Sequence, residues 1–265
     1  MTTSTDTFEN LKAGDQHYKA YVGPPLKYDL VGAMQFKLLT SLGLRDSHKL
    51  LDIGCGSLRA GKLFIPYLRK GNYYGIEPNS WLVEEGIANE LGKELIRIKK
   101  PLFNSSDSFE MSSFRTTFDF MIAQSIFSHT SVSQIKQCFA EASRALHFSG
   151  IFAATFVLGD ENYEGDEWVY PGCVTFTEKY IRELAREFGF GAIKTDWYHP
   201  NGQTWFVIFH EGNRAGVEDV VRKLHTANKL TKEKMPIPQV KHWHYSWYGR
   251  IYRKIIWLSW AKWRA

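Results

Sequence analysis

Cysteine is scarce in this 265-residue chain: Cys55, Cys138 and Cys173 are the whole set, widely spaced and never as C-x-x-C. An odd, scattered set gives no disulfide framework. The histidines form no H-x-x-x-H pair, so no zinc motif is present and no metal is expected. No apolar run reaches the ~18 residues that a membrane span needs. The opening stretch, MTTSTDTFENLKAGD, is polar and acidic and has no apolar h-region, so no secretory signal is expected and a reducing cytoplasm fits. Internal repeats and low-complexity tracts are also lacking. Apolar residues are not lacking: at 44% hydrophobic composition the chain can bury a full core, and one domain with appendages is the natural expectation.

Negative charge is nearly missing from one end. Residues 222–265 carry eleven Lys or Arg and a single acid, Glu233, which leaves 22 basic against 27 acidic residues for the rest. Five of the nine Trp also lie in this tail. A mildly acidic body followed by a basic, aromatic extension places a boundary near residues 211–222, where HEGNRAGVED reads as a linker or helix start.

Within the body, short apolar runs alternate with helical patterns. The runs KLLDIG (49–54), NYYGIE (72–77), ELIRIK (94–99), FDFMIAQ (118–124) and GIFAATFV (150–157) are rich in β-branched or aromatic residues and read as strands. Helices are expected over 29–43, 59–70, 80–91 (with Ser80 as N-cap) and 131–146. In the last, Ile135, Phe139, Ala142 and Leu146 form one stripe behind Ser131. A β-α-β-α order calls for a parallel sheet covered on both faces. A further helix over 175–190, with a Thr175/Glu178 capping box, precedes AIKTDWYH and TWFVIFH, which flank PNGQ. Asn201-Gly202 tolerates the positive φ of a tight turn, so an antiparallel hairpin is expected there.

The stretch KLLDIGCGSLRAG places Asp52 two residues before Gly54 and Gly56. In an open parallel sheet ligands bind at the carboxyl ends of strands, and glycines let the backbone approach them closely. The dinucleotide fingerprint is G-x-G-x-x-G, but here the third glycine, Gly61, falls late. Asp52 would also repel a pyrophosphate, whereas its charge suits a cation.

LLDIGCGS resembles the first motif of class I S-adenosylmethionine-dependent methyltransferases. YYGIEP supplies Glu77, an acid at the tip of the next strand. FDFMIAQSIFSHTS resembles that family's fourth-strand motif, and ASRALHFSGIFAAT its run into strand five, with His147-Phe148-Ser149 departing from the usual proline-glycine. The resemblance covers roughly residues 45–210. It implies an α/β, doubly wound seven-stranded sheet in the order 3-2-1-4-5-7-6, mostly parallel with a terminal antiparallel hairpin.

It further implies a methyltransferase domain at 45–212, an N-terminal cap with lid helices at 1–44 and a helical extension at 213–265. For the cofactor S-adenosyl-L-methionine, it implies that Gly54, Cys55 and Gly56 meet the amino-acid part and that Asp52 orders the turn or the ammonium. Glu77 would hold the ribose, Asp107 (with Asn104 behind it) the adenine, and Gln124 would face the methionine moiety or the acceptor. Arg59 and Lys62 are candidates for the cofactor carboxylate.

His129 after strand four and His199 beside the expected turn are candidate proton acceptors; each has a packing role as its alternative. The long acidic and aromatic loop after strand five offers Tyr163, Glu164, Trp168 and Tyr170 for an acceptor pocket, with Gln203 at the hairpin and Tyr21 from the cap, where Tyr18 and Tyr28 also lie. The expected reaction is methyl transfer to a small molecule, at oxygen, on a sugar, lipid-linked or secondary metabolite. Alternatives are C-, N- or S-methylation of a small metabolite such as an apolar diphosphate, or a non-catalytic cofactor-binding scaffold. The Asn/Asp-Pro-Pro-Tyr motif of base and amide N-methylation is absent, since AQSIF stands in its place. Nucleic acid is not an expected partner. Residues 241–265, with aromatic and basic positions on different faces of a helical pattern, suggest packing on the body or on a second copy of the chain, or contact with a membrane surface.

Overall fold

The computed structural model describes residues 10–232. The tail segment 241–265, with its expected packing or membrane contact, lies outside the described residues.

Seven strands form one sheet in the order β3-β2-β1-β4-β5-β7-β6. Strand β1 (Leu50–Ile53) is central and pairs in parallel with β2 (Tyr73–Ile76) and β4 (Phe118–Ala123). Outward from these, β3 (Leu102–Asn104) joins β2 and β5 (Leu146–Phe156) joins β4, both in parallel. Strand β7 (Thr204–His210) is antiparallel to β5 and to β6 (Phe190–Lys194). The sheet is therefore the mostly parallel, doubly wound α/β arrangement expected from the sequence. Chain order reverses between β1 and β4, and their carboxyl ends flank the crevice in which such sheets bind ligands.

Alternation along the strands sorts side chains to two faces. Leu51 and Ile53 of β1 join Ile135, Phe139 and Ala142 of α5 (Val132–Ala145) and Ile181 and Leu184 of α6 (Glu178–Glu187) in one core. Leu50 joins Val31 and Leu38 of α1 (Tyr28–Ser41), Phe64 of α2 (Gly61–Tyr67) and Val217 and Val221 of α7 (Arg214–Lys232) in the other. Among the described residues no helix is long and apolar enough to cross a membrane.

Helix α5 begins at a complete capping box: the Ser131 side chain accepts from the Gln134 N–H and the Gln134 side chain from the Ser131 N–H. Other local expectations are corrected. ELIRIK is not a strand but helix α4 (Lys93–Lys99), where Arg97 pairs with Glu94 one turn away at 2.8 Å, as helical backbone brings i and i+3 side chains together and a strand does not. Helix α3 (Ser80–Gly86) has Asn79 rather than Ser80 at its N-cap.

Helix α6 is capped by Thr177, which accepts from the Tyr180 N–H, not by Thr175. Thr175 is held by the preceding loop instead, donating to the Glu161 carbonyl. The antiparallel hairpin expected around Asn201-Gly202 is present, but its connection is longer than a tight turn. Residues 195–203 connect β6 and β7, and the Gly202 N–H closes a turn onto the His199 carbonyl. Pro200 and Asn201 occupy its middle, the placement that type I turns favour for proline.

Candidate functional site

The turn after β1 sets the site. Gly54 and Gly56 both have positive φ, +68° and +52°, in the left-handed region where a side chain is strained. The N–H groups of Gly54 and Cys55 both donate to the Ile76 carbonyl, at 2.8 and 3.0 Å, binding the turn to the tip of β2. A β-carbon on Gly54 would run into Ile126, and one on Gly56 would lie 2.7 Å from Val22 Cγ1. Backbone thus stands where side chains are excluded.

Two carboxylates meet this turn. Glu77, just past β2, accepts from the Gly56 N–H at 3.0 Å with one oxygen and from the Asn79 N–H and side-chain amide with the other. Asp52 is buried in β1 and accepts from the Tyr73 hydroxyl at 2.8 Å. Burial, against the opposing pull of Tyr73 and Arg59, raises the Asp52 carboxyl to about 6, and burial also raises Glu77 above its ordinary value. A cleft that holds back ionisation of two acids is one that a cation stabilises.

Arg59, between the turn and α2, is nearly buried and lines a small cavity with Val22, Gln35, Asp52, Gly54, Cys55, Gly56, Ala60 and Gln124. Its Nη1 donates to the Val22 carbonyl at 2.7 Å and its Nη2 to Gln124 Oε1, while its buried Nε has no partner. Leaving such a donor unpaired costs about 1–3 kcal/mol. Gln124 also meets His199: the two Nε2 atoms are 3.0 Å apart, and the His199 Nδ1 accepts from the Asn201 N–H at 3.2 Å. Burial, with the charges of Arg59 and Lys27, pushes the His199 imidazole down to about 4, so it is neutral at physiological pH.

His129 lies just beyond β4. Its Nδ1 faces the carbonyl oxygens of Val169 (3.0 Å) and Gly172 (2.7 Å), so it carries the ring proton and donates to them. Nε2 is left as the acceptor nitrogen, and burial lowers the imidazole's proton affinity. The ring packs against Trp168 and Tyr170, with centroids 5.6 and 5.0 Å away. Tyr170 in turn packs on Tyr21 and donates its hydroxyl to the Tyr21 carbonyl, and Tyr21 meets Trp81. An aromatic wall thus runs from the end of β4 to α3. Gln203 donates to Ser125 Oγ at 2.5 Å, but its buried Oε1 has no partner.

Other candidates lie elsewhere. Asp107 is exposed in the loop after β3. Asn104 accepts from the Ser106 N–H and donates to the Glu110 carbonyl and Ser113, ordering that loop. Tyr163 and Glu164 line another cavity with Glu161, Asn162 and Cys173. Lys62 pairs with Asp29 and with Glu90, the latter at 2.8 Å, away from the turn. Tyr18 donates to Glu90, and Tyr28 to the Ser57 carbonyl. Tyr73, Gln35 and Val22 escaped the sequence reading, because each reaches the turn through tertiary packing that no local motif encodes. Among the described residues, no cluster of His, Cys, Asp and Glu suits a metal.

Residues 51–154 match the family model described as a methyltransferase domain. No curated protein matches the chain. Among solved structures, it is similar to the mitomycin 7-O-methyltransferase MmcR at 14% identity and TM-score 0.54, covering 72% of this chain and 55% of that one. It is also similar to DesVI of Streptomyces venezuelae at 14% and 0.52, covering 71% and 94%. A third similar structure is an S-adenosylmethionine-dependent methyltransferase of Clostridium acetobutylicum ATCC 824, at 13% and 0.50, covering 69% and 91%. At such identities the likeness is one of fold. Motif, sheet order and family match agree: residues 51–154 match a methyltransferase domain, and the seven-stranded sheet has the class I fold of S-adenosylmethionine-dependent methyltransferases.

Proposed function

We propose that this protein transfers a methyl group from S-adenosylmethionine to a small-molecule acceptor, at a hydroxyl oxygen. The observation that carries the reading is the pair of buried carboxylates, Asp52 and Glu77, on either side of a glycine turn at the switch point of the sheet. The residues fit the cofactor. The glycine turn leaves backbone exposed to a close ligand, and Asp52 sits in surroundings where a cation would favour its charged form. When bound, the cofactor supplies an electrophilic methyl on a sulfonium. Glu77 would take the ribose hydroxyls, the 54–56 turn and Asp52 the amino-acid end, and Gln124 would face the methionine moiety.

The protein's own contribution is alignment and the handling of one proton. Holding an acceptor oxygen in line with the methyl supplies most of the rate. The wall of Tyr21, Tyr170, Trp168 and His129 suits a flat or sugar-like acceptor, and Gln203 Oε1 offers an unused acceptor to its polar edge. His129 is the favoured base. Its proton is fixed at Nδ1 by two carbonyls, which leaves Nε2 to receive the hydroxyl proton. His199, whose Nδ1 is taken by the Asn201 N–H and whose Nε2 lies against Gln124, is favoured as an orienter of Gln124. MmcR, named as an O-methyltransferase, agrees with an oxygen acceptor, and AQSIF at the end of β4 disfavours base and amide N-methylation.

Calorimetry should show binding of S-adenosylmethionine and none of a nicotinamide dinucleotide; the reverse would overturn the cofactor reading. Methyl-release assays with hydroxyl, amine and thiol acceptors test the rest. Turnover only with amines or thiols would remove oxygen, and binding without turnover of any acceptor would point to a scaffold.

A further inference from the structure

Arg59 is a buried guanidinium with no counter-ion in contact. Among the described residues none pairs with it as a salt bridge: Asp52 is taken up by Tyr73, and Glu77 by Gly56 and Asn79. Its Nη1 is satisfied by the Val22 carbonyl. The Nε–Nη2 edge is only half used, because Nη2 meets the neutral amide oxygen of Gln124 and Nε meets nothing. A role confined to clamping the N-terminal segment through Val22 needs Nη1 alone and leaves the buried Nε–H without a purpose. The N–H bonds of that edge run parallel, at the spacing of the two oxygens of a carboxylate, a geometry that lysine cannot supply.

We propose that the Nε–Nη2 edge of Arg59 is the receptor for the carboxylate at the amino-acid end of S-adenosylmethionine. The inference rests on the cofactor reading above and deepens it. The cavity that Arg59 lines is also lined by Asp52 and by Gly54, Cys55 and Gly56, so the anion meeting this edge is one bound against the glycine turn. The amino-acid end carries an ammonium and a carboxylate on one carbon. A buried acid and a buried arginine that share a cavity without bonding each other form a matching pair of opposite charges held apart. The ligand's zwitterion completes both, and Gln124 Oε1 gives up Nη2 to it.

The test compares S-adenosylmethionine with its decarboxylated form, which keeps the sulfonium and the amine but lacks the carboxylate, by calorimetry on the full chain. Wild type is expected to bind S-adenosylmethionine about tenfold or more tightly than the decarboxylated compound, as a charge-assisted bidentate pair implies. Arg59→Gln, checked for native thermal unfolding, is expected to bind the two alike, and Arg59→Lys, with charge but no fork, to keep only part of the preference. Two results overturn the proposal: a wild type that does not discriminate, or an Arg59→Gln variant that keeps the wild-type ratio, including one that weakens both ligands equally. Should Arg59→Gln fail to fold, Arg59→Lys decides, and an unchanged ratio there has the same meaning. A wild type that binds both compounds equally removes this proposal and leaves the cofactor reading standing; binding of neither removes both.

Discussion

Asp52 carries an electrostatic burden that the ligand-free protein does not relieve. Its carboxyl stands near 6 in the folded chain against an ordinary 3.8. An acid whose folded value is raised contributes stability while protonated, below about pH 4, and that contribution is lost as pH rises through 6. The difference amounts to roughly 3 kcal/mol. Asp52→Asn, which can still accept from Tyr73, should therefore stabilise the ligand-free protein at pH 7 and leave it nearly unchanged at pH 4, measured by denaturant titration at each pH. A bound cation draws the carboxyl back toward ionisation. Affinity for S-adenosylmethionine should thus strengthen between pH 5 and 7 in wild type and lose that dependence in Asp52→Asn.

His129 separates two roles by chemistry. Asn places an amide N–H where Nδ1 stood, so His129→Asn should keep the bonds to Val169 and Gly172 and the thermal stability while activity falls by about two orders of magnitude, the scale of a lost general base. Full activity in that variant would reduce His129 to an anchor for its loop. The places of Asp52, Glu77 and Gln124 at the candidate site were legible because each lies at or just past the carboxyl end of a strand that the sequence shows. Arg59 was read as a candidate for the cofactor carboxylate without its burial being legible, since that depends on Val22 folding over from the N-terminal segment.

At the scale of elements, the glycine turn is the stiffest requirement. Gly54→Ala combines a left-handed φ with a β-carbon placed into Ile126. It should lose about 2 kcal/mol or more of stability and most cofactor affinity, read from urea unfolding and calorimetry; near-wild-type values for both would mean that the turn adapts. The same scale shows why some elements were misread. Helix α4 has Leu95, Ile96 and Ile98 so close together that strand and helix periods cannot be told apart over six residues. The true third strand, Leu102–Asn104, spans three residues and shows no period at all. Thr175 and Thr177 both stand near the start of α6, and the choice between them is made by the loop at Glu161 and Asn162. The Asn201-Gly202 pair was read as the hairpin itself because the dipeptide is a turn signal wherever it falls. The strands fixed the longer connection instead, through the pairing of Lys194 with Phe206.

For the whole molecule, the resemblance implied the sheet order and an N-terminal cap, while the contacts that seat the cap over the cleft were not legible. Residues 18–28 close on it through Tyr170 to the Tyr21 carbonyl, Arg59 to the Val22 carbonyl, and Lys27 Nζ to the Pro200 carbonyl at 2.8 Å. Each is a side chain meeting backbone far along the chain, a pairing with no sequence period. The extension beyond the described residues is read from its composition alone. Eleven basic residues against one acid over 222–265, with five Trp, suit an anionic surface with an apolar boundary, where each Lys or Arg near the headgroups contributes about 1 kcal/mol. Full-length protein should therefore pellet with vesicles containing anionic lipid at low salt, pellet less with neutral vesicles, and be partly released as salt shortens the reach of the charges. A form lacking residues 241–265 should stay in the supernatant in all three. Equal pelleting of the two forms would exclude the membrane role, and a concentration-dependent change in mass that requires the same residues would assign them to contact between copies of the chain.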